Sequence, residues 1–90
     1  MVSKKVVIRN ITGLHLKPVA YFCKVAARFD CKVKLSFEDT VADAKSVLSV
    51  LGACVRCGDE IELICEGPGE QEALDAMVKA VVDGLGECIC

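Results

Sequence analysis

Between residues 31 and 37 apolar and polar side chains alternate without a break, with Cys31, Val33, Leu35 and Phe37 on one side and Lys32, Lys34 and Ser36 on the other. A period of two belongs to an extended strand, and its strictness calls for a sheet with one dry and one wet face. A chain of 90 residues buries only about 60% of the surface it exposes when unfolded, so the dry face has to be covered efficiently. With 53% apolar residues and no tryptophan, that cover must come from Val, Leu, Ile, Ala and Cys.

The rest of the chain supplies the partners. Residues 4–9 form a β-branched run closed by Asn10, with Val6 and Ile8 on one face, and read as a first strand. Over 16–29, apolar residues recur at Leu16, Val19, Ala20, Phe22, Cys23, Ala26 and Phe29, the spacing of a helix with one buried face. Pro18 falls in its first turn, where the missing N–H does no harm. After the 31–37 strand, Glu38 and Asp39 read as a tight turn into a short return strand over 40–43. Ser46 opens a one- or two-turn helix that stops at Gly52, and 60–66 is another strand. Gly67, Pro68 and Gly69 break the chain before a last helix over 70–85, which has an acidic first turn and apolar positions at 73, 74, 77, 78, 81, 82 and 85. The order is βαββαβα. Four short strands and three helices with one wet sheet face predict an α+β sandwich, its helices on a single face of a mainly antiparallel sheet. No linker, repeat or low-complexity tract interrupts it, so one domain over 1–90 is expected.

Charge excludes several functions. The net charge is −2, but residues 1–56 hold ten Lys and Arg against four Asp and Glu, while 57–90 hold one against nine. This distribution lacks the basic surplus of a nucleic-acid module, and no aromatic-studded strand is present for base stacking. It suits a positive patch around one anionic site. Apolar runs fall far short of the about 20 residues that span a bilayer, and the start of the chain alternates like a strand, unlike a signal peptide. A cytoplasmic protein without membrane insertion is expected.

Seven cysteines, at positions 23, 31, 54, 57, 65, 88 and 90, need their own reading. An odd count without an export signal predicts reduced thiols, with Cys23, Cys31 and Cys65 in phase with the core as small hydrophobes. Cys54-x-x-Cys57 and Cys88-x-Cys90 would offer four thiolates to zinc, but their spacing matches no zinc ribbon and no glycine-rich knuckle surrounds either. No metal and no cofactor are expected.

The only histidine, His15, lies in the segment Gly13-Leu14-His15-Leu16-Lys17-Pro18-Val19-Ala20, where a loop passes into a helix. An imidazole there faces unpaired backbone N–H groups and the positive end of the helix dipole, the environment that stabilises a dianionic adduct. Lys17 adds an ammonium one turn in. No second acid, base or metal cluster accompanies the histidine, so a stand-alone enzyme is not indicated. Ser46 is first of all an N-cap. A phosphate on it would add about two negative charges at a helix start and repel acidic partner surfaces. Val47, Leu48 and Leu51 make an apolar stripe on a helix too short to bury all of it. Val50, together with Leu51 or Val47, is expected to turn inward, and the remainder with Leu16 predicts an exposed patch beside His15.

The His15 segment, the segment Lys45-Ser46-Val47-Leu48-Ser49-Val50-Leu51, the strand entry Gly58-Asp59-Glu60-Ile61 and the βαββαβα order together resemble HPr, the histidine-containing phosphocarrier family of the phosphoenolpyruvate-dependent sugar phosphotransferase system. The resemblance spans essentially the whole chain. It implies an open-faced β-sandwich of HPr type that accepts a phosphoryl group on His15 from enzyme I and passes it to sugar-specific IIA components, working as a monomer. It further implies Ser46 as a regulatory site for an HPr kinase/phosphorylase, with a transcriptional regulator as a further partner, and docking at Leu16, Val47, Leu48 and Leu51. Lys17 departs from the family's arginine, which holds phosphate bidentately where lysine supplies a point charge. Leu16 replaces a small residue. A regulatory paralogue that acts mainly as a protein-binding module is the alternative that the departure at Lys17 leaves open.

Overall fold

The computed structural model describes residues 1–10 and 13–86. Its elements are strand β1 (Val2–Val7), helix α1 (Leu16–Ala26), strand β2 (Lys32–Phe37), strand β3 (Thr40–Asp43), helix α2 (Val47–Gly52), strand β4 (Glu60–Glu66) and helix α3 (Glu70–Val82). The expected βαββαβα order is therefore present. One sheet runs β1-β4-β2-β3, and every neighbouring pair is antiparallel.

The alternation of β2 sets both faces of that sheet. On the dry side, Leu35 stands opposite Leu63 and Ala42, Val33 opposite Cys65, and Val6 opposite Ile61. All of these are buried. On the wet side the register sets Lys5 opposite Glu62, Lys34 opposite Asp43 and Lys32 opposite Glu66. Opposite-charge neighbours of this kind contribute about 0.2–1 kcal/mol each, so the solvated face helps to fix the register that the buried face requires.

The helices close the dry face. Val19, Phe22, Val25 and Ala26 of α1, Val50 of α2, and Ala73, Leu74, Met77 and Val81 of α3 are buried against the inward strand residues. Phe22 is fully enclosed and is the largest such side chain among the described residues. Cys23, Cys31 and Cys65 are buried free thiols, as their phase predicted. Burial, with Cys31 as close neighbour, pushes the Cys65 thiol up to about 11.

Three expectations need correction. The last helix ends at Val82, short of residue 85, because Gly84 and Leu85 take positive φ values of 87° and 52°. Leu85 still reaches the core, from a turn in which its N–H donates to the Ala80 carbonyl at 3.0 Å. The first helix ends at Ala26. Over 27–29 it tightens, with Arg28 donating to the Val25 carbonyl and Phe29 to that of Ala26. Finally, Cys57 stands in a disulfide in the structure, where a free thiol is expected. An odd count excludes complete pairing and says nothing against one bridge. The Cys88-x-Cys90 motif lies outside the described residues.

Replacing Phe22 by alanine empties the centre of the helix layer, and a loss of about 3–5 kcal/mol is expected. Chemical denaturation of the two proteins measures it; a loss below about 1 kcal/mol would mean that the layer closes around the void.

Candidate functional site

The turn in front of His15 is held by backbone and by one buried side chain. Asn10 is fully buried and its Nδ2 donates to the Gly13 carbonyl at 2.6 Å, while the Gly13 N–H donates back to the Asn10 carbonyl at 3.0 Å. Gly13 has φ +65°, and a Cβ there would lie 2.7 Å from Arg56 Cα and 2.9 Å from Cys57 N. Only glycine fits both demands. Behind this turn runs the segment 55–59. The Leu14 N–H donates to the Val55 carbonyl at 3.0 Å, Gly58 donates to the Ile8 carbonyl at 2.7 Å, and Ile8 donates to that of Asp59 at 2.9 Å. An Asp59 carboxylate oxygen accepts from the Arg56 N–H at 2.8 Å and closes the segment on itself. Leu14 is buried below.

His15 emerges from this base as the N-cap of α1, with extended backbone at φ −99° and ψ 177°. Its carbonyl accepts the first helical bond, from Val19 N–H at 2.8 Å. Its imidazole makes no capping bond and is exposed. Because Pro18 has no N–H, the donors left at this helix start are those of Leu16 and Lys17. Lys17 is exposed, and among the described residues its ammonium has no ion-pair partner. The arrangement is an open anion perch, with a nucleophilic ring, two amide donors and a cation within one helical turn.

The second helix start is built differently. Ser46 Oγ accepts from the Ser49 N–H at 3.3 Å, as a capping serine does, and Ser49 Oγ in turn accepts from the Asp43 N–H at 3.0 Å. An Asp43 carboxylate oxygen accepts from the Lys45 N–H at 2.9 Å, and Lys45 Nζ donates to the Phe29 carbonyl at 2.6 Å. That last bond ties the start of α2 to the carbonyl end of the chain leaving α1, where a cation is favoured. Helices α1 and α2 pack against each other.

The predicted apolar stripe is therefore divided. Val50 is buried and Val47 and Leu51 are half-buried, whereas Leu48 is 82% exposed and Leu16 61% exposed. His15, Leu16 and Lys17 share a turn, and Ser46 with Leu48 occupies the neighbouring helix. In the sequence Asn10 reads only as a strand end, and Lys45 gives no sign of its reach to Phe29, which depends on tertiary placement. An asparagine three residues before a glycine was the available signal, since Asn readily bonds to nearby backbone in turns.

Comparison with known proteins agrees with this geometry. Residues 2–83 match the family description "PTS HPr component phosphorylation site". The chain is 40% identical over 77 residues to the phosphocarrier protein HPr of Treponema pallidum (strain Nichols), covering 86% of this chain and 88% of that protein. It is 38% identical over 81 residues to the HPr-like protein Crh of Bacillus subtilis (strain 168), covering 90% and 95%. The crystal structure of HPr-C-His from Thermoanaerobacter tengcongensis superposes with a TM-score of 0.95 at 30% identity, over 99% of this chain and 100% of that one. Sheet order, helix placement and sequence thus converge, and the chain belongs to the HPr phosphocarrier family of the phosphotransferase system.

Proposed function

We propose that this chain, acting as one domain and as a cytoplasmic monomer, takes a phosphoryl group onto His15 from phosphorylated enzyme I and delivers it to sugar-specific IIA components. The observation that carries this reading is the unengaged, exposed imidazole at a helix start whose remaining donors, Leu16 N–H and Lys17 N–H, have no intrahelical acceptor. A neutral ring nitrogen attacks phosphorus as the donor's bond to phosphorus breaks, forming a phosphoramidate. The two amides and the Lys17 ammonium balance the phosphate charge without enclosing it. An open site suits a carrier, because the same group must next face a second protein's active site.

Leu16 of α1 and Leu48 of the neighbouring α2 are exposed, and with the half-buried Val47 and Leu51 they form the surface on which partners dock. Ser46 serves regulation. A phosphate on its hydroxyl, added by an HPr kinase/phosphorylase, would put about two negative charges at the start of α2, disfavouring acidic partners at His15 and favouring a transcriptional regulator that reads the phosphoserine. A second reading, a regulatory paralogue acting mainly as a protein-binding module, draws on the 38% identity with the HPr-like protein Crh. The free His15 side chain favours the carrier.

Incubation with phosphoenolpyruvate and enzyme I is expected to place one acid-labile phosphate on the chain, and His15→Ala to abolish it. Label persisting in that variant would remove the carrier reading. Lys17→Ala is expected to slow acceptance about tenfold through loss of the charge at the phosphate, and Lys17→Arg to exceed the native rate through bidentate contact; rapid-quench transfer assays compare them, and an unaltered rate in both would assign Lys17 to the solvated surface. For docking, Leu48→Asp is expected to raise the KM for a IIA acceptor about tenfold, the scale of losing a buried apolar anchor, with His15 still phosphorylated at saturating enzyme I. Equal KM values would place the contact surface elsewhere.

A further inference from the structure

Lys17 brings a point charge to the His15 perch but no planar fork for a phosphate. A guanidinium stands close by, on the segment behind the turn. Arg56 Cα would lie 2.7 Å from a Cβ on Gly13, so the backbone of Arg56 touches the chain two residues ahead of His15. Beside this contact Leu14 N–H donates to the Val55 carbonyl, and both of these residues are buried. The residue that follows each of them, His15 and Arg56, is exposed. Successive residues of extended chain turn to opposite sides, so His15 and Arg56 both leave the joint towards solvent.

The backbone of Arg56 is held, and its side chain is not. An Asp59 carboxylate oxygen accepts from the Arg56 N–H at 2.8 Å, which engages that acid with the main chain. Arg56 borders a hollow of about 350 Å³ together with Phe37, Glu38, Cys54 and Asp59. Its guanidinium nevertheless forms no ion pair with either acid, or with any other among the described residues. The two residues of chain from Gly13 to His15 span at most about 7 Å, and an extended arginine side chain covers a similar distance. An unpaired fork anchored at Gly13 therefore has the reach to meet a phosphate carried on His15.

We propose that Arg56 is a phosphate-binding residue of this site, its guanidinium closing over the phosphoryl group on His15 to supply the two-pronged contact that Lys17 does not. The proposal rests on His15 as phosphoryl acceptor. Arg56 makes and breaks no covalent bond. Two of its N–H groups donate to two phosphate oxygens, while the Leu16 and Lys17 amides hold the group from the helix start. Because the guanidinium has no ion pair of its own, the phosphate arrives without a salt bridge having to break first.

The test measures phosphorylation of the full chain by phosphoenolpyruvate and enzyme I, with rapid quench over a range of chain concentrations. Arg56→Ala is expected to lower the saturated rate about tenfold, and Arg56→Lys, which keeps the charge and loses the fork, to stay about threefold below native. In a Lys17→Arg background Arg56→Ala is expected to cost less than twofold, because the second guanidinium takes over the contact. Hydrogen exchange at the Leu14 amide is expected to be the same in Arg56→Ala as in the native chain. A native saturated rate in Arg56→Ala, or a rise in KM alone, overturns the proposal and leaves the carrier reading intact. So does an equal loss in the Lys17→Arg background, and faster Leu14 exchange in Arg56→Ala assigns the loss to the turn and overturns it as well. Should the native chain take no label at His15, the carrier reading fails and this assignment falls with it.

Discussion

The hydrogen bond from Leu14 N–H to the Val55 carbonyl, 3.0 Å long, is the joint on which the functional end of the molecule depends. It fastens the chain just ahead of α1 to the strap between α2 and β4. The close approach of Gly13 to Arg56 and the buried Asn10 side chain complete the joint. Everything presented to solvent at His15 inherits its position from these backbone contacts. The His15 side chain is thereby left without a capping role.

The two helix starts on this side of the molecule make the same point by contrast. At α2 a serine hydroxyl fills the capping position, and Asp43, Ser49 and Lys45 extend the bonding from the cap into β3 and towards the end of α1. At α1 the capping position is occupied by a ring that caps nothing. One terminus is satisfied within the fold, and the other has no side-chain cap. Helix α1 keeps its start without a side-chain cap because Val19, Phe22 and Ala26 hold it to the core.

Much of this was legible in the sequence because it rests on local periodicity. The strict alternation at 31–37 gave the faces of the sheet, and the spacing from Val19 to Ala26 gave the buried stripe of α1. Ser46 before an apolar run gave the second cap. The placement of His15 at a helix start was legible for a related reason, since a proline two residues into an apolar-periodic run marks the first turn. What escaped was long-range. Lys45 meets Phe29, sixteen residues away, and Gly13 meets Arg56 across the strap; neither encounter leaves a period. Both long helices were read too far at their C-terminal ends, the last one because Leu85 is buried as the helical pattern demanded, though a left-handed turn delivers it.

The order of the sheet leaves β1 and β3 as its two open edges, and each is poorly suited to receive another strand. β3 has only four residues, too few for a lasting ladder. β1 carries Lys4 and Lys5 at its centre. A second copy pairing antiparallel about that centre would set ammonium groups against ammonium groups, with no acid on the strand to relieve them. A protein crowded among its own copies thus meets electrostatic resistance to cross-β stacking along its longer edge, and its exposed backbone there can remain unpaired without becoming a template for aggregation.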